Sequence, residues 1–280
     1  MPGSRVWLIT GCASGFGRVL AEAALARGDT VVATARRVEQ LADLAGSERV
    51  HPVPLDVTDP RQRQAAVEAA IARFGRIDVL VNNAGRTQVG AVEETTEGEL
   101  RSLFELHFFG PAALTRAVLP IMRAQGGGWI VQMSSVGGQV TAPGFGAYCA
   151  TKFALEGLTE TLRDEVAPFG IRTLIVEPGA FRTGLFRPDA AYLSAEMPEY
   201  TATVGPTRQF VGGSDGQQPG DPGKAAQAIL AALDAGEPPL RLVLGQDAIG
   251  GVRSRLDQLA TELTAWEEVG RATAIDFQGK

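Results

Sequence analysis

The first 25 residues constrain the fold most. A short apolar run with β-branched Val6, Ile9 and Thr10, RVWLIT at 5–10, ends in TGCASGFG, and the apolar-periodic run 19–25 follows at once. The order reads as a buried strand, a glycine turn and a helix. Gly11, Gly15 and Gly17 are spaced G-x-x-x-G-x-G, with Ser14 and Phe16 inside the turn. Glycine lets the backbone turn tightly and approach a ligand, and a helix N-terminus offers unsatisfied N–H groups and a positive dipole end. Between a strand and a helix, such a turn reads as a dinucleotide-binding turn of altered spacing.

The same alternation continues along the chain. Strands are predicted near 30–35, 50–55, 78–81, 129–134, 171–177 and 241–245. Helices are predicted at 60–74, 97–124, 147–167, 222–235 and 251–270, with an interruption of the second at Pro111 or Pro120. Strands alternating with helices argue for an α/β fold, a doubly wound Rossmann-type domain with a mostly parallel seven-stranded sheet. No linker divides the chain, so one domain is expected over 1–280. With 45% hydrophobic and 21% charged residues the composition is that of a soluble globular protein. No apolar run reaches a membrane span and no signal segment opens the chain, so the expected compartment is the cytoplasm, with no membrane partner. A net charge of −6 without a basic stripe argues against nucleic acid. Two cysteines and two histidines form neither a disulfide framework nor a metal cluster; no metal is expected.

Chemistry-bearing residues fall at the carboxyl ends of the predicted strands, where open parallel sheets place their ligands. Arg36 and Arg37 follow the second strand, where an acid would hold two ribose hydroxyls and an arginine fork suits a 2′-phosphate. This favours NADP(H), with NAD(H) possible. Asp56 and Val57 follow the third strand, and Asp56 could bond an adenine edge or belong with Thr58 and Asp59 to a helix cap. Asn83, Ala84 and Gly85 follow the fourth, leaving room for a ribose. His107 lies in the long helix, as a core residue or as a catalyst. Ser135 follows the fifth strand. Tyr148 and Lys152, four apart, share one helix face, so an ammonium can lower the phenol's pKa toward a usable acid/base. Pro178, Gly179, Phe181 and Thr183 follow the sixth. Residues 184–220 hold no convincing strand and read as a lid or a surface excursion; as a lid they would offer Phe186, Tyr192 and Met197 to an apolar substrate.

TGCASGFG, NNAG, Ser135 with YCATK, and PGAFRT together resemble the short-chain dehydrogenase/reductase family in its single-domain branch, strongly over 1–183 and in outline over 221–250. The resemblance implies an oxidoreductase that interconverts a ketone or aldehyde and an alcohol. Tyr148 would be the proton donor or acceptor, Lys152 would hold the nicotinamide ribose, and Ser135 would bond the substrate oxygen. Gly11, Gly15 and Gly17 would line the pyrophosphate. Asp56 would face the adenine, Asn83 the adenosine-side ribose and backbone, and Thr183 the nicotinamide amide. The chain departs from the pattern at His107, where the family usually has an asparagine that holds a relay water. SVGG and YCATKFALEGL are similar to segments of hydroxysteroid and retinol dehydrogenases, which implies a bulky hydrophobic substrate. Related proteins pair through the helices at 97–124 and 147–167, implying a homodimer or homotetramer. A nucleotide-binding sensor or scaffold without turnover is the alternative, since fold does not fix function.

Overall fold

The computed structural model describes residues 4–187 and 190–275. Its strands are β1 (Val6–Ile9), β2 (Thr30–Ala35), β3 (Val50–Pro54), β4 (Val79–Asn82), β5 (Gln88–Val89), β6 (Gly128–Met133), β7 (Ile171–Pro178), β8 (Tyr192–Leu193) and β9 (Arg241–Leu244). Seven make one sheet in the order β3-β2-β1-β4-β6-β7-β9. Each neighbouring pair is parallel, so the sheet is parallel throughout. Strand order reverses between β1 and β4, which opens a crevice at their carboxyl ends.

Side-chain alternation along the strands splits the core into two layers. Trp7 and Ile9 of β1 point to the face covered by α1 (Gly15–Ala26) and α7 (Pro222–Asp234), where Leu20, Ala24, Ile229 and Leu233 pack. Leu8 points to the opposite face. There α2 (Pro60–Phe74), α4 (Gly110–Gln125) and α5 (Gly146–Val166) bring Val67, Ala70, Leu114, Val118, Leu162 and Val166. Burial on both faces accounts for the near-continuous apolar strands.

The predicted helix at 97–124 is interrupted as expected. It consists of α3 (Glu97–Phe104), one π-helical turn (Glu105–Phe109) and α4. Pro111 has no N–H for the carbonyl four residues back, that of His107, which allows the wider winding there. At 184–220 the structure corrects the sequence reading. This stretch contains β8, paired in parallel with β5, and a helix, α6 (Thr201–Gly213), with Pro206 inside it. Pro206 and the glycines that end α6 hid the helical pattern, while Val204 and Val211 are its buried face. The last helix, α8, spans Gln246–Arg271, five residues earlier than predicted at its start.

Candidate active site

The glycine turn is built for close approach. Gly11 and Gly15 have φ of 74° and 60°, a region that favours glycine. A Cβ on Gly17 would overlap Gly11 O and lie 2.5 Å from Asn83 Nδ2. Ser14 caps α1 by position, but its side chain bonds no backbone N–H, and the first turn carries no acid. The N–H groups of that turn are therefore left for an anion. Asn83 braces the turn, its Nδ2 donating to Thr10 O (2.7 Å) and Gly11 O (3.2 Å). Thr10 was not singled out from the sequence. Its hydroxyl accepts from the N–H groups of Asn83 (2.8 Å) and Ala84 (2.9 Å) and donates to Val81 O, locking β1 to β4 at the crevice.

Arg36 and Arg37, at the end of β2, are exposed, and their side chains have no hydrogen bond or ion pair among the described residues. Asp56 accepts from Thr58 N (2.9 Å) and Thr58 Oγ1 (2.7 Å), both through Oδ1. Asp59, not Asp56, caps α2, accepting from Arg61 N at 2.8 Å. Buried Val57 sits beside α4, and its carbonyl would be 2.7 Å from a Cβ on Gly110. Across the crevice, Phe181 packs at a tilt against Phe16 with 5.3 Å between ring centres, and Thr183 lies against Gly15. The Asp247 carboxylate fills the space beside Gly179, where it accepts from Ala180 N (2.8 Å). Thus the segment after Pro178 closes over the glycine turn, and a cradle of N–H groups and close glycine contacts fits a nicotinamide dinucleotide.

Ser135, Tyr148 and Lys152 come together at the carboxyl end of β6. Ser135 Oγ accepts from Gly137 N at 3.0 Å, and the Ser135 side chain is near enough to the Tyr148 hydroxyl to act on its pKa. Gly137 leaves the Tyr148 ring room, since a Cβ there would stand 3.1 Å from the ring. Lys152 is buried, its ammonium donates to Met133 O (2.9 Å), and it lies 5.6 Å from the Tyr148 ring centre. The spacing placed the pair correctly, but the expected fall in the phenol's pKa is reversed. Burial pushes Tyr148 up to about 12, against a smaller opposing effect of the Ser135 side chain. Burial also lowers Lys152 to about 8, with nearby Glu156 holding it partly up.

His107 is buried and saturated. The Thr151 hydroxyl gives its proton to Tyr148 O (2.7 Å), so the 2.9 Å contact with His107 has Nδ1–H donating to Thr151 Oγ1. Nε2 accepts from Arg86 N at 3.2 Å. Both nitrogens of a neutral ring are then occupied. Burial, with the charges of Lys152 and Arg86, holds the imidazole well below its ordinary pKa. It packs edge-on to the Tyr148 ring at 5.6 Å. This geometry positions Arg86, Thr151 and the tyrosine ring, and it leaves no ring nitrogen to hold a relay water.

A family model described as short chain dehydrogenase matches residues 5–192. The chain belongs to the short-chain dehydrogenase/reductase family. It is 41% identical over 278 residues to a protein of Botryotinia fuckeliana named oxidoreductase BOA17, covering 97% of this chain and 100% of that one. A solved short-chain dehydrogenase from Streptomyces avermitilis is 60% identical, with a TM-score of 0.92 over 98% of this chain and 100% of that one. A Burkholderia cenocepacia short chain dehydrogenase solved with NADP is 28% identical, with a TM-score of 0.69 and 96% of each chain covered. One from Burkholderia phymatum solved with NAD is 27% identical, with a TM-score of 0.79 over 92% of this chain and 95% of that one.

In this short-chain dehydrogenase/reductase the segment beyond β7 is tied down at several points. Glu94 is buried and accepts from Ala91 N (2.7 Å), Met197 N (2.9 Å) and the Arg208 guanidinium (2.8 Å). Those hydrogen bonds, Met197 N first, hold its carboxyl below the ordinary value. Gln88 Nε2 donates to Ser194 Oγ at 2.9 Å beside the β5·β8 pair. Of the three substrate candidates, Phe186 packs into a small core with Val89, Ala91, Val204 and Val211. Tyr192 lies under the Arg86 guanidinium at 3.9 Å from its ring centre, and Met197 is half-buried beside Glu94. Phe145 joins that small core to Tyr148, with 6.1 Å between their ring centres.

Behind the site lies a buried carboxyl pair that the sequence did not reveal. Glu156 accepts from Ser134 Oγ (2.5 Å), Glu177 accepts from Gln139 Nε2, and Arg241 lies 3.2 Å from each. Burial raises the pKa of both carboxyl groups, and the nearby Glu156 adds to the rise of Glu177. Ser134 precedes Ser135 and Glu177 precedes Pro178, so the pair braces two loops of the site from behind. Cys12 and Cys149 are buried thiols that fill space. Among the described residues, no group of three or more His, Cys, Asp and Glu could hold a metal, and no helix is long and apolar enough to cross a membrane.

Proposed function

We propose that the chain is an NADP(H)-preferring oxidoreductase that interconverts a ketone or aldehyde and an alcohol, with Tyr148 as the proton donor or acceptor. The carrying observation is that Ser135, Tyr148 and Lys152 meet at the end of β6, across the crevice from a glycine turn with free N–H groups. The cofactor, when bound, supplies or accepts the hydride at the carbonyl carbon. Ser135 Oγ and the Tyr148 hydroxyl, near each other at the end of β6, bond the substrate oxygen as negative charge grows on it, where donors matter most. A phenol with a pKa near 12 stays protonated at neutral pH and gives its proton to that oxygen. Lys152, charged below pH about 8, offers its ammonium beside the ring and to a ribose. Gly11, Gly15 and Gly17 admit the pyrophosphate. Asp56 Oδ2 and the backbone around Val57 and Asn83 to Gly85 line the adenosine side; Pro178 to Thr183 line the nicotinamide side.

Two observations bear on the finer assignments. The small apolar core reached through Phe145 supports a bulky hydrophobic substrate held under residues 184–220 as a lid, with Phe186 in that core. Exposed Phe153 and Leu158 on α5, with Phe109 before α4, support pairing of two copies through those helices. The cofactor assignment rests on Arg36 and Arg37, free guanidiniums suited to a 2′-phosphate. Replacing both by alanine is expected to weaken NADPH binding about a hundredfold, the loss of two charge-assisted hydrogen bonds. NADH binding, measured like that of NADPH by fluorescence titration, is expected to change little. Equal losses for the two nucleotides would remove the 2′-phosphate from these arginines.

A further inference from the structure

Helix α8 is docked only at its start. Ala248 and Val252 are buried against the domain, whereas every residue from Leu256 to Arg271 is exposed. That is more than four turns of helix, about 24 Å at 1.5 Å per residue, without a tertiary neighbour. Helices of this length draw most of their stability from packing an apolar face. The face is present: Leu256, Leu259, Leu263 and Trp266 are exposed by 55%, 43%, 72% and 69%. With Ile249 and Val252 before them, they repeat at alternating steps of three and four, the 3.5-residue period of a two-helix seam.

The geometry points to a second copy of this chain as the occupant, with its α8 running antiparallel. Arg253, Ala260 and Glu267 flank the stripe on one side, and Arg255, Glu262 and Val269 on the other. A parallel pair would set Glu262 opposite Glu267 twice and form no opposite-charge pair. An antiparallel pair centred near Ala260 sets Leu256 against Trp266, Leu259 against Leu263, and Ala260 against its own copy, where a small residue lets the helices approach. It also sets Arg253 against Glu267 at both ends, as a two-fold interface requires. Its one unfavourable contact is Glu262 facing its own copy. A membrane surface fits worse, because the residues 253–271 carry Asp257, Glu262, Glu267 and Glu268 against Arg253, Arg255 and Arg271, and membrane-bound helices favour a basic polar face.

A helix pair this short buries little, so the expected affinity is micromolar, and sedimentation equilibrium of the full chain from about 1 to 100 μM covers it. Leu263 touches nothing in its own subunit, so Leu263→Asp is expected to fold normally. It should weaken one association step about a hundredfold or more, since it removes a leucine from each side. Trp266 adds a second readout: Trp7 and Trp129 are buried, so a soluble quencher reports mainly on Trp266. It is expected to be shielded in wild type and accessible in Leu263→Asp. Glu267→Arg should weaken association, Arg253→Glu with Glu267→Arg should restore it, and Glu262→Gln should tighten it. An unchanged mass and unchanged quenching in Leu263→Asp would overturn the interface. Failure of the double swap to restore association, or weakening by Glu262→Gln, would overturn the antiparallel register.

Discussion

Tyr148→Phe is expected to lower turnover by about a thousandfold or more while leaving NADPH affinity close to wild type. The hydroxyl is asked to do two things. It supplies the proton, an effect worth about 10²–10⁴, and it is one of two donors on the developing oxyanion, worth about 10²–10³. The ring itself stays packed between His107 and Phe145, so the substitution removes an oxygen atom and no structure. The pH profile of ketone reduction carries the same assignment. Reduction needs the phenol and the Lys152 ammonium both protonated. With Tyr148 near 12 and Lys152 near 8, its rate should be flat through neutrality and fall as pH rises through about 8. Steady-state rates between pH 6 and pH 10 check the fall; a rate that rises across that range would contradict this ordering of the two groups.

Gly17→Ala is expected to abolish nucleotide binding at concentrations that saturate wild type. The new methyl group would overlap Gly11 O and press on Asn83 Nδ2, and neither can yield freely. Gly11 O is backbone in a turn already held at positive φ, and Asn83 is bonded to Thr10 and Gly11. Overpacking of this kind costs about 1–3 kcal/mol. Here it also moves the N–H groups that face the pyrophosphate. Nucleotide titration by protein fluorescence, with circular dichroism to verify folding, measures both. Wild-type affinity in Gly17→Ala would mean that the turn does not contact the ligand.

How much of this could be read from the chain depends on the range of each interaction. The glycine turn was legible because strand, turn and helix are consecutive, and Tyr148 with Lys152 because four residues make one helical turn. Pro111 announced the break in the long helix for the same local reason. Three features escaped. The helix around Pro206 was hidden by the residue that usually ends helices, and it is held by tertiary contacts, the packing of Val204 and Val211 on Val89 and Ala91 and the Arg208–Glu94 ion pair. The Glu156–Glu177 pair joins α5 to β7, and no spacing encodes that meeting. The Tyr148 pKa was misjudged because helical spacing reports which charges are near, whereas burial, the larger effect here, is set by the whole fold. His107 shows the same limit: its two hydrogen bonds come from Arg86 and Thr151, far apart in sequence, and together they use up the ring.

The most direct test of the central claim follows the nicotinamide absorbance band during incubation of the purified chain with NADPH and a panel of hydrophobic ketones and aldehydes. The expected result is NADPH oxidation that depends on a carbonyl compound, runs slower with NADH, and is lost in Tyr148→Phe. NADPH oxidation that persists undiminished in Tyr148→Phe would contradict this role of the tyrosine.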